Sequence, residues 1–154
     1  MNTVVFFDTS VLLAGLIDLG ESSKYPMRIL DAVADGKLPK ISTAWHCCLE
    51  FYSVATRMPE EYRLEPTDAL RLVEQELFGR FEVHSLAGPK LLPFFREACA
   101  DRIFGGRIYD VHIGAVALEA KAKTVVTDNR RHFDRLRRHG VRILNASEFA
   151  ELLG

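Results

Sequence analysis

The chain has 154 residues, enough for one domain with a sizeable core, and its 48% hydrophobic and 27% charged composition excludes a disordered or fibrous protein. Twenty basic against 21 acidic residues leave a formal net charge of -1, which by itself names no partner. No apolar run is long enough to cross a bilayer, and Met1-Asn2 leads into a strand without a basic segment and cleavage site, so a cytoplasmic protein is expected.

Thr3 to Phe7 is β-branched and aromatic without polar alternation, the pattern of a strand covered on both faces. Helices are predicted over Thr9 to Asp18 and Tyr25 to Ala34, the second stopped by Asp35-Gly36. Lys40 to Thr43 is a weaker strand, and Ala44 to Arg57 has helical periodicity that stops before Pro59. That helix holds adjacent Cys47 and Cys48; with Cys99 the count is odd, so no disulfide framework is read and a reducing compartment fits. Pro66 to Phe78 reads as a helix, Phe81 to Ser85 as a strand, Leu91 to Ala100 as a helix and Asp101 to Arg107 as a loop. Helix Asp110 to Lys121, strand Thr124 to Thr127, helix Arg130 to Arg138, strand Val141 to Leu144 and helix Ser147 to Leu153 complete the chain. This alternation predicts a single α/β domain over 1–154, a three-layer α/β/α sandwich around a mainly parallel sheet with right-handed crossovers. Neither GxGxxG after the first strand nor GxxxxGK[ST] occurs, so no nucleotide cofactor is indicated.

Acidic residues recur where turns meet regular elements: Asp8, Glu50, Asp110 and Asp128. Asp8 and Asp128 end strands, and Asp110 opens a helix. Taken singly, each aspartate reads as a helix cap, and Glu50 reads as solvated, since Cys48, Phe51, Tyr52 and Ala55 form the apolar face of its helix while His46 and Arg57 share its side. Taken together they converge, because strand ends of a parallel sheet meet at one rim. Clustered carboxylates repel unless a cation neutralises them, and oxygen ligands without paired Cys or His favour Mg²⁺ or Mn²⁺. Phosphodiester hydrolysis is the natural chemistry of such a site. From Arg130 to Arg142 six arginines, Arg130, Arg131, Arg135, Arg137, Arg138 and Arg142, stand against Asp134 alone, forming a strip that reads either as a solvated helix face or as a phosphate-binding surface. His112 points away from Asp110 on its helix and reads as a packing residue.

These stretches, Phe7-Asp8-Thr9-Ser10-Val11-Leu12-Leu13, Leu49-Glu50-Phe51, Tyr109-Asp110-Val111-His112-Ile113-Gly114-Ala115, Val125-Val126-Thr127-Asp128-Asn129-Arg130-Arg131-His132-Phe133 and Gly140-Val141-Arg142-Ile143-Leu144-Asn145, together resemble the PIN-domain ribonucleases, and within them the VapC-type toxins of toxin-antitoxin pairs. The resemblance covers essentially the whole chain. It implies metal-binding roles for Asp8, Glu50 and Asp110, a small polar position at Ser10 and a polar wall at Thr127. The chain departs at the fourth acid: relatives place it two residues after the strand-end threonine, where Asn129 stands here, while Asp128 is one residue early. Either Asp128 takes over, or Asn129 contributes a carbonyl or water-mediated contact and Asp128 caps the helix. Arg57, Arg130 and Arg131 are the candidate RNA contacts. The resemblance further implies an RNA substrate, hydrolysis leaving a 5′-phosphate, a homodimer and an antitoxin that blocks the site. Two rivals stand beside it: a catalytically degenerate module binding RNA or protein, and a small-molecule phosphohydrolase.

Overall fold

The computed structural model describes residues 2–154; Met1, which begins the expected run into the first strand, lies outside them. Five strands, β1 (Val4–Phe7), β2 (Ile41–Ala44), β3 (Glu82–His84), β4 (Ala122–Val126) and β5 (Arg142–Leu144), form one sheet in the order β3-β2-β1-β4-β5, and every neighbouring pair is parallel. Helices α1 (Thr9–Leu16), α2 (Lys24–Ala34), α3 (Trp45–Ala55), α4 (Pro66–Leu72), α5 (Gly88–Ala100), α6 (Arg107–Glu119) and α7 (Ala146–Leu152) flank it, which makes the three-layer α/β/α sandwich.

β1 lacks polar alternation because it is the central strand: Val5, Phe6 and Phe7 are all buried. Phe7 meets Phe81 and Phe149 edge-on, at ring separations of 5.5 and 5.9 Å, so one side chain ties the sheet to α7 and to the segment before β3. The chain runs from β1 outward through β2 to β3, then returns to β4 and continues outward to β5. The reversal falls between β1 and β4, whose register pairs Phe7 with Val126. Crevices in open parallel sheets form at the carboxyl ends of strands at such a reversal, so Asp8 and Thr127 are delivered to the position where a site is expected.

α1 and α2 approach closely because Gly15 has no side chain; a Cβ there would stand 2.8 Å from Leu30 Cδ2 and 3.1 Å from the Pro26 carbonyl oxygen. Gly15→Val is therefore expected to cost about 1–3 kcal/mol by overpacking, read as a lower urea midpoint. An unchanged midpoint would contradict this contact.

Several elements differ from the sequence reading. The helix from Pro66 turns π-helical over Val73–Phe78, a widening that fits one more residue into the turn. α6 begins at Arg107 rather than Asp110, because the amides of Arg107, Ile108 and Tyr109 already donate to the carbonyls of Phe104, Gly105 and Gly106. α5 likewise starts earlier, at Gly88, with Pro89 in its first turn where a missing N–H costs nothing. Arg130–His139 is a 3₁₀ helix, closed by Gly140 at φ +78°. Its buried residues are Phe133 and Leu136, three apart, and a period of three residues per turn brings both onto one side.

Candidate active site

Asp8 leaves β1 with its amide donating to the Val126 carbonyl at 3.1 Å, and Thr127 leaves β4 with its amide donating to the Leu144 carbonyl at 2.9 Å. The two side chains meet directly. Thr127 Oγ1 donates to Asp8 Oδ2 at 2.8 Å, and Ser10 Oγ makes a longer contact with the same oxygen at 3.4 Å. Each hydroxyl then accepts from the loop after β4: Ser10 Oγ from the Asp128 amide at 3.2 Å, Thr127 Oγ1 from the Asn129 amide at 3.0 Å. Asp8 sits at the N-cap of α1 yet makes no side-chain capping bond, so capping does not explain it. Only 4% exposed, its carboxyl is pushed up from 3.8 to about 6, chiefly by burial; the Thr127 hydrogen bond pulls the other way, and the charges of Glu50 and Asp110 raise it further. These three carboxylates thus lie near enough to feel one another.

Glu50 keeps a side chain 42% exposed, as its helical wheel predicts, but it is not without partners. It is half-buried on α3, accepts from Thr9 Oγ1 at 3.1 Å and stands 3.5 Å from His46 Nε2. Tyr52, assigned to the apolar face, is instead exposed, and Cys47 takes its place in the core beside Cys48 and Phe51. The helix is thereby turned so that Glu50 looks across to α1. Asp110 lies one turn into α6, with Oδ2 2.9 Å from His132 Nδ1. His132 and Thr9, the latter buried beside Glu50, stand in the stretches quoted from the sequence but are given no role there.

Asp128 and Asn129 follow Thr127 with exposed side chains, and their hydrogen bonds into the site come from backbone amides. The like charges that raise Asp8 are Glu50 and Asp110. Much of the arginine strip is paired: Arg130 with Glu148 at 2.6 Å and Arg135 with Asp101 at 2.6 Å, acids brought from elsewhere, and Arg137 with Asp134 of the strip itself at 3.2 Å. Arg138 also approaches Asp101, at 4.0 Å. Arg131 and Arg57 are exposed and make no ion pair among the described residues; Arg57 follows the end of α3 and has no contact with the carboxylates in the hydrogen bonds and ion pairs described.

The PIN domain family model matches residues 4–131, spanning β1 to the start of the 3₁₀ helix after β4. The chain belongs to the PIN domain family. This PIN domain is 34% identical over 86 residues to ribonuclease VapC27 of Mycobacterium tuberculosis, a match covering 55% of this chain and 60% of that protein. Its fold is shared with VapBC-1 from nontypeable Haemophilus influenzae, at a TM-score of 0.63 and 17% identity over 94% of this chain and 98% of that one. It is also shared with FitAcB from Neisseria gonorrhoeae, at 0.59 and 16% over 93% and 98%.

The donors at the rim of this PIN domain suit a hard divalent ion, being carboxylate and hydroxyl oxygens around a buried Asp8 that like charges burden. Among the described residues no three His, Cys, Asp or Glu side chains close round one point. Glu50 is held by Thr9 and His46, and Asp110 by His132. The set fits such an ion in chemistry and in charge.

Proposed function

We propose that the chain is a metal-dependent endoribonuclease, the toxin of a toxin-antitoxin pair, read as one PIN-like domain over 1–154. The observation that carries this is Asp8: a carboxylate at the β1–β4 reversal, bonded to Thr127 and raised chiefly by its burial, with the charges of Glu50 and Asp110 adding to it. Membership of the PIN domain family supports nuclease chemistry, and the likeness to ribonuclease VapC27 and to the VapBC-1 and FitAcB structures supports an antitoxin partner. In this reading Asp8, Glu50 and Asp110 hold Mg²⁺ or Mn²⁺, with Asp128 or Asn129 at the fourth position. The ion, when bound, supplies Lewis acidity to the phosphate and lowers the pKa of water for in-line attack that leaves a 5′-phosphate. The chain's own residues orient this site: Thr127 and Ser10 fix the Asp8 carboxylate, Thr9 and His46 fix Glu50, and His132 fixes Asp110. Arg131 and Arg57 remain available to hold flanking phosphates, whereas Arg130 must first leave Glu148. A homodimer in the cytoplasm completes the proposal; among the described residues no helix is long and apolar enough to cross a membrane.

The test is cleavage of a labelled RNA pool with and without Mn²⁺. Wild type is expected to cut only with the ion, and Asp8→Asn and Asp110→Asn are expected to be inert. Cleavage by those variants at the wild-type rate would discard the metal site. Of Asp128→Asn and Asn129→Ala, the one that loses activity identifies the fourth position. RNA binding without any metal-dependent cleavage would favour the degenerate module, and hydrolysis of small phosphate esters alone would favour the phosphohydrolase.

A further inference from the structure

Beside the carboxylates stands a set of rings of which the hydrolytic reading uses only His46, as a partner of Glu50. Tyr109, which precedes Asp110 in the first turn of α6, stacks on His46 with centroids 5.7 Å apart and planes inclined by 30°. His46 meets His112 edge-on at 5.5 Å, and His112 meets Phe94 at 5.6 Å. The back of the stack is thus packed by rings from three helices, α3, α5 and α6. Its front is open: Tyr109 is 59% exposed while His46 stacks on one of its faces. The stack is also joined to the carboxylates, since His46 Nε2 lies 3.5 Å from Glu50 Oε1 and Tyr109 is bonded to Asp110.

A ring left this exposed contributes little to the core, and its contact with His46 restricts its rotamers, so a planar group docks on it with less ordering than on a free side chain. In RNA the planar groups are the bases. Phosphates would be met by arginines, so the two kinds of contact are complementary rather than competing. Resting on the ribonuclease reading, we propose that the open face of Tyr109, backed by His46, stacks the nucleobase flanking the phosphate to be cut. Both faces of a base inside a duplex are occupied by its neighbours, so this platform selects unpaired RNA. Every base has a π-face, so selection among bases is shallow, with purines favoured by their larger stacking area.

Binding is measured in the Asp8→Asn background, which leaves the oligonucleotide intact, using fluorescein-labelled oligoadenylate, oligouridylate and an abasic oligomer of equal length. Oligoadenylate is expected to bind tightest and the abasic oligomer weakest. Tyr109→Ala and Tyr109→Leu should each weaken oligoadenylate binding about 10- to 100-fold, the size expected for one lost base stack, and bring it close to the abasic oligomer. Tyr109→Phe should restore the wild-type order. The dependence of binding on salt should stay the same in all variants, because phosphate contacts are untouched. Tyr109→Leu keeps apolar bulk without a π-face, so equal binding of oligoadenylate by it and by the parent overturns the proposal. So does equal binding of adenylate and abasic oligomers by the parent. Wild-type cleavage is scored separately: its absence discards the nuclease reading, while the comparison of oligomers still decides for or against stacking.

Discussion

Asp8→Asn is expected to abolish metal-dependent RNA cleavage while raising the melting temperature of the metal-free protein at neutral pH. The loss of activity, about 10³-fold or more, follows from removing a charged ligand of an ion that stabilises the transition state by several kcal/mol. The gain in stability follows from burial. Asp8 is pushed up from 3.8 to about 6, so between those values the folded chain holds a proton that the unfolded chain has released. Stability associated with this group is present in full below pH 3.8 and is lost as pH rises through about 6. The gap corresponds to about 3 kcal/mol at neutral pH, because each tenfold difference in proton affinity is worth about 1.36 kcal/mol. Asparagine has no charge to desolvate, and its side-chain oxygen can still accept from Thr127 Oγ1. In a chain of this size the difference amounts to a melting temperature higher by roughly 6 °C at pH 7, with no difference near pH 3.5.

Adding Mn²⁺ should reverse that order, since only wild type gains stability from binding the ion. Parallel thermal melts of the two proteins at both pH values, with the ion and with chelator, read all of these effects. A variant less stable than wild type at pH 7 without metal would mean that the Asp8 carboxylate is not a buried burden on the fold.

How much of this could be read from residue order differs by residue, for physical reasons. Asp8 was legible because Val4-Val5-Phe6-Phe7 can only be a strand covered on both faces, and an acid at its end falls at the carboxyl rim. The parallel sheet followed from the same alternation of apolar runs and helices. The Thr9 partner of Glu50 was not legible because a helical wheel ranks faces by hydrophobicity and cannot know that a buried threonine from α1 supplies a donor to one of them. The ion pairs of the arginine strip were hidden for the same reason: Asp101 and Glu148, which pair with Arg135 and Arg130, come from other parts of the chain. His132 was hidden because its partner Asp110 is brought to it by the packing of α6 against the 3₁₀ segment. The 3₁₀ geometry left a trace, in the three-residue spacing of Phe133 and Leu136 among charges, that a search for helical periodicity passes over. Long-range contacts decided each of these cases.

Thr127 is the residue whose small change should cost most beyond the carboxylates themselves. Its hydroxyl donates to Asp8 Oδ2 at 2.8 Å, accepts from the Asn129 amide at 3.0 Å and is fully buried. Thr127→Val keeps the shape and removes both bonds. The buried carboxylate then loses its principal donor, a charged hydrogen bond worth about 1.5–3 kcal/mol, and the Asn129 amide loses its acceptor. Because the Thr127 bond is the larger of two hydrogen bonds that hold the Asp8 carboxyl down against burial, the other coming from the Thr9 backbone, losing it should push the pKa further up and make the carboxylate a poorer ligand at any given pH. Mn²⁺ affinity should fall about 10- to 100-fold, as it does when an outer partner of a ligand is lost, and the lower arm of the activity profile should move to higher pH. Thr127→Ser, which restores the hydroxyl, should recover both. Titration of Mn²⁺ by calorimetry, with cleavage measured from pH 5 to 8, makes the comparison. If Thr127→Val binds the ion as wild type does and keeps the same pH profile, the hydroxyl fills space beside Asp8 without orienting it, and the alignment of this carboxylate must come from the backbone turn between β1 and α1 alone.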